Sequence, residues 1–169
     1  MALVRRETPE DLAAIRRVNE LAFEQAAEAD LVDALRARGK VTISLVAVEN
    51  DRVVGHILFS PVTIESGDEV FPALGLGPMA VLPELQRRGI GSMLVSHGLD
   101  ECRSAGHTSV VVVGHADYYP RFGFVPASRF GLKCEYDVPD NVFMAIELRV
   151  GALSGQGGLV KYQSEFNEV

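Results

Sequence analysis

The chain has 169 residues, of which 47% are hydrophobic and 23% charged, and its formal net charge is −7. This length suits one domain, and the apolar fraction is sufficient for a single buried core. The acidic balance excludes a protein that binds nucleic acids through a basic face.

The first elements are a short strand and two helices. Residues 2–7 predict the strand. Thr8 followed by Pro9 is typical of a helix start. The second helix is predicted over residues 27–39, where Gly39 ends it. The apolar residues of the first helix recur at helical spacing and predict an amphipathic helix: Leu12, Ile15, Val18 and Ala22.

The hydrophobic period then changes to that of strands. Residues 41–49 and 52–65 are rich in β-branched residues, and "NDR" at 50–52 predicts a hairpin turn between them. A second turn is predicted at "SGDE", residues 66–69, before a third apolar run at 70–82.

The second half predicts a helix, more strands and a tail. We expect a helix from about residue 88 to 104, a buried strand "TSVVVV" at 108–113, and a short helical piece near "ADYYPRF". Further strands are predicted around "GFVPAS" and "NVFMAIELRV". The tail at 151–169 is expected to be irregular, with a short extended stretch near Val160.

This order of elements predicts an α+β fold, a mixed α/β sandwich around one mostly antiparallel twisted sheet flanked by helices. The helix at 88–104 would join the fourth and fifth strands as a central parallel pair. Gly77 and Pro78 interrupt the fourth strand, and proline cannot donate to a ladder, so a bulge is expected to splay this pair. Residues 1–150 are predicted to form one domain, with the tail at 151–169 packed on it.

The stretch "LQRRGIGSML", residues 85–94, combines glycines with arginines at the start of a helix. The first amides of a helix lack internal partners, and the helix dipole is positive there. Gly89 and Gly91 would let a phosphate approach those amides, and Arg87 and Arg88 add full charges. The alternative is a plain tight turn with solvated arginines.

The predicted splay leads to the same helix start. A thin ligand with a diphosphate at one end would fit this geometry. Its amides would pair with the strand edge at Met79, Ala80 and Val81, in the manner of an added strand.

Two motifs carry a resemblance to a known family. Gln-x-x-Gly-x-Gly at residues 86–91, after "MAVLP", resembles the acetyl-CoA-binding motif of the GNAT acetyltransferase superfamily. "YYPRFGF" at 118–124 is similar to the superfamily's aromatic segment after the fifth strand. The pattern is closest to a branch of uncharacterised N-acetyltransferases, and the likeness covers about residues 2–150.

The resemblance implies a GNAT-like fold and an N-acetyltransferase that uses acetyl-CoA as co-substrate, without a metal. Met79 and Val81 would contact the pantetheine, and Gln86 opens the pyrophosphate motif. The backbone amides that the resemblance assigns to the pyrophosphate are those of Arg87, Arg88, Gly89, Ile90, Gly91 and Ser92.

The resemblance also implies a mechanism in which an amine attacks the acetyl thioester directly. Tyr119, four residues before Gly123, corresponds to the family's general acid, which protonates the CoA thiolate; Tyr118 is its reserve. The backbone N–H of Met79 would stabilise the oxyanion. The general base is left open among His56, Glu65, Asp68, Glu69, Glu135 and Asp137.

The acceptor is expected to be a primary amine on a small molecule or a protein, and neither its identity nor the length of the acyl group follows from the sequence. Family members commonly form homodimers, and the sequence leaves it open whether this chain also forms one. The alternative function is a non-catalytic CoA or acyl-CoA sensor. An ATP-binding loop is not expected, because the P-loop pattern is missing.

Localisation and metal content are also predicted from composition. The sequence "MALVRRETPEDL" has no signal-peptide core, and no apolar run approaches a membrane span. Cys102 and Cys134 suit a reducing compartment, so a cytoplasmic protein is expected. The spacings of His97, Cys102, His107 and His115 match no zinc site.

Overall fold

The computed structural model describes the backbone of residues 1–169 and the side chains of residues 1–167 and 169. Within them it has α-helices α1, α2 and α3 at Leu12–Phe23, Ala27–Ala37 and Ile90–Ser104. The strands β1 to β9 are, in chain order, Leu3–Arg6, Ile43–Glu49, Arg52–Ser66, Glu69–Val81, Ser109–Val113, Val125–Pro126, Leu132–Cys134, Phe143–Glu147 and Gly158–Lys161.

The chain divides into two compact units. The first unit comprises Met1–Ser60, Gly77–Glu101 and Ser164–Val169, and the second comprises Pro61–Leu76 and Cys102–Gln163. Strands β3 and β4 and helix α3 contribute residues to both. The prediction of one domain at residues 1–150, with the tail at 151–169 packed on it, stays a prediction.

The start of α1 in the first unit is built as the sequence predicts. The N–H of Thr8 donates to Oδ2 of Asp11 at 2.7 Å, and Pro9 opens a 3-10 turn that runs directly into the helix. Because this reciprocal cap satisfies amides that the helix cannot satisfy, it fixes where α1 begins. Arg5 adds a bidentate ion pair to Asp11, at 2.7 and 3.1 Å.

The strands of the first unit form an antiparallel meander. In β1, Leu3 lies opposite Val48 of β2. The hairpin between β2 and β3 turns at Asn50 and Asp51, whose φ angles are 52° and 59°. Two successive left-handed residues match the twist of the flanking strands, which confirms the predicted hairpin.

Helices α1 and α2 bury their apolar faces against β2 and β3 of the same unit. Helix α3 approaches β3 through a glycine, since a Cβ on Gly98 would lie 2.5 Å from Cε1 of Phe59. Only a residue without a side chain therefore fits at that contact. The buried residues that form the core of the two N-terminal helices are Ile15, Leu31, Val32, Leu35, Val46 and Leu58.

The second unit contains the predicted parallel pair. In β4, Leu74 and Gly75 lie opposite Val110 and Val111 of β5. Strand β5 pairs antiparallel with β8, and β8 pairs antiparallel with β6. Mixed pairing that is mostly antiparallel, together with three helices, confirms the α+β class. The predicted splay of β4 from β5 stays a prediction.

Two short strands complete the second unit. The predicted extended stretch near Val160 is β9, which pairs antiparallel with the end of β3 and parallel with β7. The sequence did not predict β7, which has only three residues and therefore too short a pattern to detect. The tail also contains a 3-10 helix, Ser164–Glu168, and only for this segment was the expectation of an irregular tail wrong.

None of the helices that the structure describes is long and apolar enough to cross a membrane.

Candidate active site

The segment between β4 and α3 has an unusual backbone. Gln86 is extended, whereas Arg87 and Gly89 are left-handed, with φ angles of 65° and 86°. A left-handed arginine is uncommon, because its Cβ crowds its own backbone. Helix α3 begins at Ile90, two residues later than predicted, because the turn occupies those positions.

Gly89 closes the first turn of α3. Its carbonyl accepts the N–H of Met93 at 3.0 Å, so the amides of Ile90 and Gly91 precede the first bond within the helix. A Cβ added to Gly89 would meet nothing within 4 Å. The space around the Cβ position of Gly89 is therefore open, and a helix start of this kind favours an anion.

The side chains at the turn are positively charged, as is the N-terminal end of the α3 dipole. Arg87 and Arg88 are both exposed beside Gly89. Alternating left-handed residues turn successive N–H groups toward one side, which forms a concavity for anions. The turn, the helix start and the two guanidinium groups together suit a phosphate.

Gln86 has an internal contact that the sequence did not reveal. Its side-chain Nε2 donates to the carbonyl of Val81 at 3.0 Å. This bond ties the turn to the last residue of β4. Gln86 therefore holds the turn in place from its side chain, a role that no sequence pattern short of a family motif signals.

The backbone groups at the end of β4 alternate in direction from one residue to the next. The N–H of Leu82 donates to the carbonyl of Val54 at 2.9 Å, and the carbonyl of Ala80 faces Gly55, with 3.3 Å to a Cβ added there. Even-numbered residues therefore direct their backbone toward β3. By strand alternation, Met79 and Val81 direct theirs to the opposite edge, where the expected pantetheine contacts would lie.

Tyr119 lies in the second unit and is 7% exposed. Its ring packs against Gly114 and meets the rings of Tyr118 and Phe124 edge to face, with centroids 5.1 and 5.7 Å away. Burial, with a smaller contribution from Tyr118, raises the pKa of Tyr119 to about 12. The phenol is therefore fully protonated at neutral pH.

Tyr118 is less buried and is held by its neighbour. The guanidinium of Arg121 lies 4.5 Å from the Tyr118 ring centroid, and its Nε donates to the Tyr118 carbonyl at 2.9 Å. Gly123 ends this 3-10 turn at φ 103°, a conformation that favours glycine. The left-handed backbone at the end of this turn therefore explains the glycine at residue 123.

His56, one of the candidate bases, is completely buried. Nδ2 of Asn19 donates to its Nδ1 at 3.2 Å, so Nε2 carries the proton and donates to Oγ of Ser44 at 2.9 Å. Ser44 in turn donates to Glu7, which pairs with Arg36. Burial lowers the pKa of His56 to about 3, with a smaller contribution from Arg36. These bonds and its burial make His56 a packed core residue.

The other candidate bases are carboxylates near the surface. Glu65 pairs with Lys161 at 3.3 Å, and Oε2 of Glu135 accepts the N–H of Tyr162 at 2.5 Å. Asp68, Glu69 and Asp137 are exposed. The choice of base therefore remains unassigned.

Both cysteines are buried. In the part of the chain that the structure describes, no three His, Cys, Asp or Glu side chains are grouped so that they would hold a metal ion. The turn and the β4 edge belong to the first unit, and Tyr118 and Tyr119 to the second.

Comparison with known proteins adds independent information. Residues 3–127 match the acetyltransferase (GNAT) domain. The chain is 36% identical to YhbS of Escherichia coli K12, described as an uncharacterised N-acetyltransferase, over 98% of each chain. It is 40% identical to YjhQ of the same strain, described in the same words, over 77% of this chain and 74% of YjhQ.

Solved structures agree with this likeness. The crystal structure of E. coli YhbS in complex with CoA has a TM-score of 0.92 and 36% identity, over 98% of this chain and 92% of that one. A GNAT family acetyltransferase from Brucella melitensis, in complex with acetyl-CoA, has a TM-score of 0.81 and 38% identity over 98% of both chains.

Proposed function

Because this chain belongs to the GNAT acetyltransferase family and is an N-acetyltransferase, we propose that it moves an acetyl group from acetyl-CoA to a primary amine by direct attack. The observation that carries this proposal is the turn before α3. Two left-handed residues, Arg87 and Gly89, precede the first helix amides, and the Cβ position of Gly89 has open space around it. Bound CoA in YhbS and bound acetyl-CoA in the Brucella protein support the same donor here.

Two parts of acetyl-CoA, the pyrophosphate and the pantetheine, bind to different elements of the chain in this proposal. The pyrophosphate contacts the turn and the start of α3, where Arg87 and Arg88 supply charge to complement the backbone amides. The pantetheine pairs with the edge of β4 at Met79 and Val81, whose backbone faces away from β3. Glycine at residue 89 leaves room for the phosphate.

The reaction requires one bond to form and one to break. The amine nitrogen attacks the thioester carbonyl carbon, and the backbone N–H of Met79 donates to the resulting oxyanion. The C–N bond is retained, the C–S bond breaks, and the sulfur leaves with the electron pair. The products are the N-acetylated amine and CoA thiol, because the proton that the nitrogen loses after its attack as a neutral amine balances the proton that the sulfur gains.

Tyr119 supplies the proton to the leaving sulfur. Its pKa of about 12 keeps the hydroxyl protonated as the thiolate forms. Since a free thiol has a pKa near 8.5, the phenol first donates a hydrogen bond while charge develops on sulfur and then passes its proton to the sulfur. Solvent then restores any proton that is transferred.

The test is amine-dependent release of CoA thiol from acetyl-CoA. We expect release with at least one member of a panel that includes alkyl amines, lysine and a peptide with a free amino terminus. The Gly89→Glu variant should lose it, because the new carboxylate would occupy the phosphate space and repel the anion. Gly106→Glu is the matched control, since Gly106 is also left-handed with open space around its Cβ position.

The alternative is a non-catalytic sensor of CoA or acyl-CoA. Tight binding of acetyl-CoA with no thiol release for any amine in the panel would favour the sensor over the enzyme. Release that is the same in wild type and Gly89→Glu would contradict the assignment of the donor to this turn.

A further inference from the structure

A cavity of about 350 Å³ lies in the first unit, between the start of α1 and the hairpin that joins β2 and β3. Its volume is at the lower end of the range of small-molecule sites. Its apolar lining consists of Ala14, Val18, Val53 and Leu82. Val18 and Leu82 are each 2% exposed, so this part of the cavity suits a small apolar group. We call this space the α1 cavity.

Charged side chains of both signs complete the lining of the α1 cavity. Glu10 and Asp51 supply carboxylates and Arg17 supplies a guanidinium group, and all three are exposed. Asp11 adds little charge, because Arg5 already pairs with both of its oxygens, at 2.7 and 3.1 Å. A simple anion would meet two carboxylates here, and a simple cation would meet a guanidinium group. A ligand that carries both charges matches this lining.

Arg52 connects the α1 cavity with the segment that precedes the donor turn before α3. It lines the cavity and pairs with Glu84 at 3.0 Å. The pKa of Glu84 is lowered by a hydrogen bond from its own backbone N–H, then by Arg52 and, least, by Arg17. Both guanidinium groups therefore act on this carboxylate, and the carboxylate of a ligand would compete with Glu84 for them.

We propose that the α1 cavity is an effector site for a zwitterionic amino acid with a small apolar side chain. The ammonium group of the amino acid contacts Glu10 and Asp51, its carboxylate pairs with Arg17, and its side chain contacts the apolar lining. The effector is not acetylated at this site. Its binding is independent of the proposed function, and only its effect on acetyl-CoA rests on that function.

The test compares L-leucine with two probes that each lack one of its charges, 4-methylpentanoate and 3-methylbutylamine. Titrations without acetyl-CoA are followed by the amide chemical shifts of isotope-labelled protein. We expect leucine to shift the amide signals of Ala14, Val18 and Val53. Its affinity should be about tenfold greater than that of either probe, because each probe loses one charge-assisted contact.

Arg17→Gln should lower the affinity for leucine about tenfold and remove the preference for leucine over 3-methylbutylamine, which lacks a carboxylate. Arg129→Gln is the matched control, since it removes one exposed arginine from the second unit, and it should leave both unchanged. Ala14→Leu retains every charge and a good helix former. It should abolish leucine binding, because the larger side chain fills the cavity.

Leucine at saturation should weaken the affinity for acetyl-CoA about threefold, because a Glu84 carboxylate released from Arg52 adds negative charge just before the donor turn. In Glu84→Gln this effect should disappear, while leucine still binds. Calorimetric titration of acetyl-CoA with and without leucine measures the change in both proteins.

Equal affinity for leucine and either probe, or amide shifts that leave Ala14, Val18 and Val53 unmoved, would overturn the inference. An equal loss of affinity in Arg129→Gln, or unchanged leucine binding in Ala14→Leu, would also overturn it. An affinity for acetyl-CoA that leucine does not change would overturn the effector role. Failure of the wild type to bind acetyl-CoA would instead contradict the proposed function, and the leucine titrations would still test the cavity.

Discussion

The ring of Tyr119 covers Gly114 so closely that a Cβ at residue 114 would overlap it. The backbone there is also fixed, because the N–H of Gly114 donates to the carbonyl of Val142 at 2.9 Å. A glycine just beyond the end of β5 therefore sets the position of the proposed general acid.

Gly114→Ala should lower kcat by about tenfold or more and leave the affinity for acetyl-CoA unchanged, because the added methyl group displaces the phenol and not the donor turn. Steady-state kinetics and a calorimetric titration of acetyl-CoA measure the two effects. In the double variant with Tyr119→Phe, the loss should be no greater than in Tyr119→Phe alone. Losses that multiply would show that the glycine acts independently of Tyr119.

Tyr119→Phe should lower kcat by about 100-fold, the usual contribution of one acid–base group. Tyr118→Phe is the matched control and should retain most of the activity. Since burial raises the pKa of Tyr119 to about 12, the proton is bound below that value, and no loss of rate from this group is expected up to pH 10. Equal losses in the two variants would contradict the assignment of the acid to Tyr119.

Buried His56 predicts how stability depends on pH. Its pKa falls from 6.5 to about 3 in the folded protein, so below pH 6.5 the unfolded chain binds a proton that the folded chain does not. Stability should therefore decrease as pH falls from 6.5, by up to about 1.4 kcal/mol per pH unit. Denaturant unfolding between pH 4.5 and 7 measures this slope.

His56→Gln is the comparison for that slope, and in it the dependence over this range should be much weaker. Asp11 does not interfere, because its pKa is lowered to about 2, first by its hydrogen bond with Arg5. Its contribution is present above its ordinary value of 3.8 and is lost only as pH falls toward 2. Identical slopes in wild type and variant would rule out His56 as the source.

Gly98→Ala should destabilise the protein by about 1–3 kcal/mol, because the methyl group would lie 2.5 Å from a carbon of Phe59. Ser96→Ala, at an exposed position of α3, is the control and should change stability by less than about 0.5 kcal/mol. Urea unfolding of the two variants gives the difference. An unchanged midpoint for Gly98→Ala would show that α3 packs less tightly on β3 than described.

Local signals were sufficient to predict most of the fold. Thr8, Pro9 and Asp11 mark a helix start through capping chemistry that acts within four residues, and Asn50 with Asp51 marks a hairpin in the same way. Strand β7 was missed because three residues carry no periodicity. Its pairing with β9 depends on contacts between segments that are distant in the sequence.

The candidate site was predicted to different degrees in its parts. The glycine turn follows from helix-end chemistry and from the family motif, both of which are local. The bond from Gln86 to Val81 and the packing of Tyr119 on Gly114 depend on tertiary register. No periodic pattern encodes such contacts, so they required the structure.

The central claim is that the turn before α3 binds the diphosphate of acetyl-CoA. Calorimetric titration of acetyl-CoA into wild type, Gly89→Glu and Gly106→Glu tests it most directly. We predict binding by wild type and Gly106→Glu, and its loss in Gly89→Glu. Equal binding by all three proteins, or no binding by wild type, would contradict the claim.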